Sequence, residues 1–156
     1  MPILDGRLTH SPADVVAQVL MDLGLANGMG PDGKPEGAWP VTVDTELNLP
    51  DDAVTVTNTE GVLNGRIQIT GERPEHFGFQ IKVRSSRPTT GWNKVNALAV
   101  ALDQEMSYVT VMVDSSTYMV GAVTRMGGVL AVGRELASTK RFIYTINAIV
   151  VINQTT

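Results

Sequence analysis

From His76 onward the chain alternates. Phe77, Phe79, Ile81 and Val83 are separated by Gly78, Gln80, Lys82 and Arg84, a period of two that predicts a half-buried β-strand. Ser85-Ser86-Arg87-Pro88-Thr89-Thr90-Gly91 then breaks the period with turn-forming residues. Trp92, Val95, Leu98, Ala99 and Leu102 recur at three- and four-residue spacing. That spacing predicts one face of a helix over about 90–105, with Thr89 or Thr90 as its N-cap. Val109, Val111 and Val113 return to a period of two and predict a second strand. Strand, helix and strand together read as a βαβ-like unit whose helix buries its apolar face on the sheet.

Ser11-Pro12-Ala13-Asp14 is a helix start, and Val15, Val16, Val19, Leu20 and Leu23 form its apolar stripe up to the stop at Gly24, a helix over about 12–23. Residues 25–40 are rich in Gly and Pro and read as a loop. Val41-Thr42-Val43 and Ala53-Val54-Thr55-Val56 read as short strands. A long loop region is expected over 57–76, with Asn64-Gly65 as a hairpin signal and Arg66-Ile67-Gln68-Ile69-Thr70 open to an edge-strand reading. Strands follow over 117–124, 129–132 and 141–152. In the last, Ile149-Val150-Val151-Ile152 has no polar side, which predicts a strand passing from an edge or rim into a position covered on both sides. The expectation is one domain over 1–156, of α/β (α+β) class, with a mixed, mostly antiparallel sheet and two helices packed on it.

Composition narrows the function classes. At 156 residues, 43% hydrophobic and 18% charged, the chain is long enough to bury roughly 70% of its unfolded surface. Two Trp, three Tyr and three Phe leave the core to aliphatic residues. A net charge of −4 argues against general nucleic-acid binding. The absence of Cys removes disulfides, thiol nucleophiles and thiolate metal sites. Met1-Pro2-Ile3-Leu4-Asp5 lacks the layout of a signal peptide, and the apolar runs are too short to span a membrane. A protein made and used inside a cell is expected.

Candidate chemistry is thin. Gly28-Met29-Gly30-Pro31-Asp32-Gly33 matches the dinucleotide fingerprint by letter, but that motif works only between a strand and an opening helix. A helix precedes it here, so the plain-loop reading is preferred. His10 and His76 have neither metal-ligand spacing nor a nucleophile elbow around them. Asp44 and Glu46, Asp51 and Asp52, and Asp103 and Glu105 are carboxylate neighbours whose default is solvation. Asp103 and Glu105 sit against the dipole at a helix C-terminus. Arg84, Arg87 and Lys94 cluster around the central turn, with Arg66 and Arg73 upstream. Against a phosphate or DNA site, the acidic total favours a solvated turn or a salt-bridging interface. Arg66, Arg73, Arg84, Arg87 and Trp92 serve as candidate subunit or partner contacts. Trp92 is either a core anchor or an oligomer contact. No catalytic residue, cofactor or metal is expected.

The order of several segments resembles the bacteriophage minor capsid and tail-terminator (head–tail joining) family. Phe79-Gln80-Ile81-Lys82-Val83-Arg84-Ser85-Ser86 before a helix is similar to its "Q-x-x-V-R" strand and helix. The run Ala53-Val54-Thr55-Val56, Glu60-Gly61 and Gly65-Arg66 resembles the segment before that strand. Met119 to Arg125, Val132-Gly133-Arg134-Glu135 and Arg141 to Asn147 look like its last hairpin, with Val132 in place of the usual Leu. The resemblance implies an α/β structural protein without catalytic residues or cofactor. It would form a ring, commonly a hexamer, that caps the tail tube, stops its polymerisation and joins it to the head connector. Its place would be the head-proximal end of the virion tail, after assembly in the host cytoplasm, with DNA meeting it only in the ring lumen. The alternatives are a tail-tube or neck protein of related fold, and a small α/β enzyme or ligand-binding domain using the 28–33 loop or the arginines for an anion.

Overall fold

The computed structural model describes residues 8–63, 75–134 and 140–155. Its elements in chain order are α1 (Pro12–Asp22), β1 (Val41–Val43), β2 (Ala53–Leu63), β3 (Glu75–Ser85), α2 (Pro88–Gln104), β4 (Val109–Val113), β5 (Ser116–Arg125), β6 (Leu130–Arg134) and β7 (Phe142–Gln154). The seven strands form one sheet in the order β1-β2-β3-β7-β5-β4, with β6 also pairing β7. Only β1 and β2 run parallel. The class is α+β, with a mixed, mostly antiparallel sheet and two packed helices.

α1 starts and stops where its sequence says. Ser11 and Asp14 form a reciprocal capping box with Pro12 in the first turn. At the other end Gly24 has φ 73°, and the amides of Gly24 and Leu25 donate to the carbonyls of Met21 and Leu20 at 3.0 and 2.9 Å, which satisfies carbonyls a helix end leaves open. α2 starts earlier than its threonines suggest. Its N-cap is Arg87 with Pro88 following, and no side chain caps it. The missing cap is offset by the strand end: Asp52 accepts from Ser85 Oγ at 2.7 Å and from the Ser86 amide at 3.3 Å, placing a carboxylate just before the helix.

The strand–helix–strand unit is not a βαβ. β7 and β5 lie between β3 and β4, and β4 runs opposite to β3. The expected loop over 57–76 is also corrected, because β2 continues to Leu63 and β3 begins at Glu75. Thr57, Asn58 and Thr59 stay in register with Gln80, Phe79 and Gly78, so cross-strand pairing overrides their turn propensity. A bulge follows between Thr59 and Val62. A Cβ on Gly61 would collide there with the His76 carbonyl. The Asn64-Gly65 turn and the Arg66–Thr70 strand lie outside the described residues. β7 is central rather than an edge strand: it pairs β3 on one side, and β6 and then β5 on the other.

One face of this sheet is the core. Ile146 stands opposite Ile81, Ala148 opposite Phe79 and Ile152 opposite Val120, all buried. α2 lies on this face against β7, β3 and β5. α1 touches β1 and β2 at one edge and β4 at the other, so the sheet curls around it. Leu20, Leu98, Leu102 and Met106 fill the space between, fully buried, each worth roughly 1.5–3 kcal/mol of transfer free energy.

Candidate interaction surface

Among the described residues, no helix lies on the opposite face of the sheet. Met112 on β4, Met119 on β5, and Leu130 and Val132 on β6 stand 61%, 53%, 58% and 57% exposed. Ile143, Ile149 and Val151 of β7 are half-buried beside them. Thr110, Thr117, Thr124, Asn147 and Asn153 fill the intervening positions, so β4, β5 and β7 present no charge in this phase. This part of the sheet face is a candidate contact surface.

At the β3 end the loop of residues 44–52 folds over the same face. Asp44, at φ 57°, turns the chain off β1, and its carboxylate accepts from Asn58 N and Nδ2 at 2.9 and 2.8 Å. Asn58 Oδ1 in turn accepts from the Ala13 amide of α1 at 2.9 Å. Glu46 pairs with Lys82 at 2.9 Å. Arg84 donates from Nε to the Asp51 carbonyl at 3.2 Å and from Nη2 to the Pro50 carbonyl at 2.7 Å. Arg141 donates from Nη1 to the Asn48 carbonyl at 2.7 Å. Both arginines are buried, while Leu49 between their acceptors is 70% exposed. Two guanidiniums thus hold a rigid loop with an apolar side chain at its tip.

Beside this loop is a groove of about 330 Å³ lined by Gln80, Lys82, Leu130, Val132, Ile143, Thr145 and Asn147. Gln80 Nε2 donates to Asn147 Oδ1 across its floor at 3.2 Å. A smaller hollow of about 220 Å³ lies at the β2–β3 bulge, against Ser11, Asn58 and Phe77. Among the described residues no group of three His, Asp or Glu side chains is placed to hold a metal ion, and no buried side-chain polar atom lacks a hydrogen-bond partner.

The sequence candidates separate. Arg84 is buried and committed to the loop carbonyls, so its role in this fold is structural. Arg87 is exposed at the start of α2. Trp92 is 45% exposed and meets Tyr144 edge-on at 5.8 Å; it is a lid on the core rather than an anchor within it. Arg66 and Arg73 lie outside the described residues. Lys94 belongs to the 25–40 segment instead: its ammonium donates to the Leu25 carbonyl and lies 5.4 Å from the Trp39 ring centroid, and burial lowers its pKa. The segment itself is pinned by bridges from Asn27 to Pro40 and from Met29 to Pro35, and no helix follows Gly33 to make it a phosphate loop. His10 is not isolated: Nδ1 lies 2.6 Å from Tyr118 Oη and Nε2 lies 3.0 Å from Asp114 Oδ2.

No protein-family model matches the chain, and no curated protein matches it.

Sequence reasoning missed Leu49, Arg141, Met112, Met119 and Leu130. The signal for three of them was present: Met112, Met119 and Leu130 occupy strand positions where a solvated face would carry polar side chains. Arg141 and Leu49 gave no local signal, because the contact that defines them joins residues far apart in the chain.

Proposed function

We propose that this chain is a structural protein of a bacteriophage virion, a ring-forming tail terminator that caps the tail tube, ends its polymerisation and joins the tail to the head connector. The observation that carries this reading is the sheet face on which, among the described residues, no helix lies, with Met112, Met119, Leu130 and Val132 exposed on it and no charge on β4, β5 or β7 in that phase. Such a face suits close packing against other protein chains. The segments that resemble the family supply the rest of the support. Their described parts fall on β2, β3, the approach to α2, and β5 to β7; Gly65-Arg66 and Glu135 lie outside the described residues.

In this reading the work is done by shape. Ring closure needs a heterologous contact repeated around an axis, and the exposed 31–38 stretch and Arg87 are available for it. The partners are further copies of the chain, a tail-tube protein and a connector protein, with DNA passing through the lumen and no cofactor. Purified protein added to growing tail tubes should appear by electron microscopy as a ring at one tube end. Long open polymers from the pure protein would instead make it a tube subunit.

A further inference from the structure

Three thioethers share the sheet face away from the helices. Across β4 and β5, Thr110 stands opposite Met119 and Met112 opposite Thr117, so Met112 and Met119 are diagonal neighbours on that face. The bulge between Val120 and Val123 adds one residue to β5. Both valines face the core, and the outward positions therefore pass from Met119 to Thr124 and Met126. Arg125, between those last two, reaches Asp103 of α2 on the core side. The Met126 amide donates to the Asn147 carbonyl at 2.7 Å. Met112, Met119 and Met126 are 61%, 53% and 58% exposed. The other described methionines are sheltered. Met106 is fully buried, Met21 and Met29 are half-buried, and Met21 Sδ packs against Gly28.

From this placement we infer that Met112, Met119 and Met126 form a peroxide-modification site, and that oxidising them switches the face off as a contact surface. Each thioether sulfur attacks one oxygen of hydrogen peroxide. The S–O bond forms as the O–O bond breaks, and two electrons pass from sulfur to the peroxide. The departing hydroxide takes the proton of the transferred hydroxyl and leaves as water, and the sulfur is left as a sulfoxide.

The change is one of polarity at fixed shape. A flexible apolar side chain becomes a polar one with a strong acceptor oxygen, on strands that carry no charge in this phase. Burying that oxygen against a partner without a donor weakens the contact by about tenfold or more. Oxidation acts on the free chain, because a seated partner covers the sulfurs. The loss of contact rests on the reading of this face as the capping surface; the pattern of oxidation does not.

The test treats the full chain with hydrogen peroxide and follows it by peptide mass spectrometry, hydrophobic-interaction chromatography and thermal unfolding. Met112, Met119 and Met126 should each gain one oxygen before Met106 gains any. At that stage the thermal midpoint should hold and the chain should leave the apolar resin earlier. A chain carrying Met112→Leu, Met119→Leu and Met126→Leu together, a volume-conserving exchange, should elute at one position before and after peroxide. Oxidation of Met106 as early as the outer three, or unchanged elution once those three are oxidised, overturns the inference. Equal capping of tail tubes by native and oxidised chain overturns it too. If neither form caps, the ring reading fails, and the oxidation and elution patterns alone decide whether the modification site stands.

Discussion

Arg125 grips Asp103 with two parallel hydrogen bonds, Nε to Oδ1 and Nη2 to Oδ2, each 2.9 Å. This accounts for an acid in the last turn of α2, where the helix dipole disfavours it. The guanidinium comes from β5, so the pair ties the end of the helix to the sheet. Both side chains are partly solvated, Arg125 at 29% and Asp103 at 45%, so the pair is worth little in isolation. Arg125→Ala and Asp103→Ala should each cost about 0.5–1 kcal/mol. A double-mutant cycle in urea should return a coupling of similar size, and zero coupling would make the contact incidental.

Arg84→Ala should be far more damaging. It strips the Pro50 and Asp51 carbonyls of their donor and leaves Glu46 with Lys82 alone. A loss of about 3 kcal/mol is expected in urea unfolding. Arg87→Ala, at an exposed N-cap without a side-chain bond, should stay within about 0.5 kcal/mol of the wild type. Equal losses at the two positions would contradict the assignment of Arg84 to the loop.

Gly91→Ala tests how closely α2 approaches the sheet. A Cβ there would lie 2.8 Å from Tyr144 Cε2 and 3.1 Å from Ser85 Cβ. The Tyr144 ring cannot swing aside freely, since its hydroxyl donates to the Pro88 carbonyl at 3.0 Å and Trp92 packs on its edge. Alanine gains about 1 kcal/mol of helix propensity, yet overpacking costs about 1–3 kcal/mol. The variant should melt lower than the wild type; a higher midpoint would mean the helix has room to move.

Lys94 gives a pH dependence with a definite sign. Burial lowers its pKa from 10.5, so between the lowered value and 10.5 the unfolded chain binds more protons than the folded one. Stability from this group therefore rises with pH through that window and is lowest below it. Unfolding at about pH 8 and about pH 10 should show the wild type gaining on Lys94→Met as pH climbs. Parallel curves for the two proteins would contradict this.

How much of this was legible depends on the range of the interaction. The Ser11-Pro12-Ala13-Asp14 start and Gly24 stop of α1 are local signals, and they hold. The alternation of Phe77 to Val83 placed β3, because period two is written into consecutive residues. Pairing is not local: nothing near Val109–Val113 says that β5 and β7 separate it from β3. The start of α2 was misread because its N-cap, Arg87, has no capping side chain. The surface was hidden for the same reason as the pairing. Arg141 and Asn48 are 93 residues apart, and the exposure of Met112 or Leu130 depends on both helices choosing the other face.

The central claim, that the bare sheet face and its rim serve to cap a polymer of protein subunits, is tested most directly by tube length. Tail-tube protein should polymerise to indefinite length alone and to a narrow length distribution when this chain is present, with Met119→Asp and Leu130→Asp variants that fold normally but fail to narrow it. Tubes that grow alike with and without the chain would contradict the account.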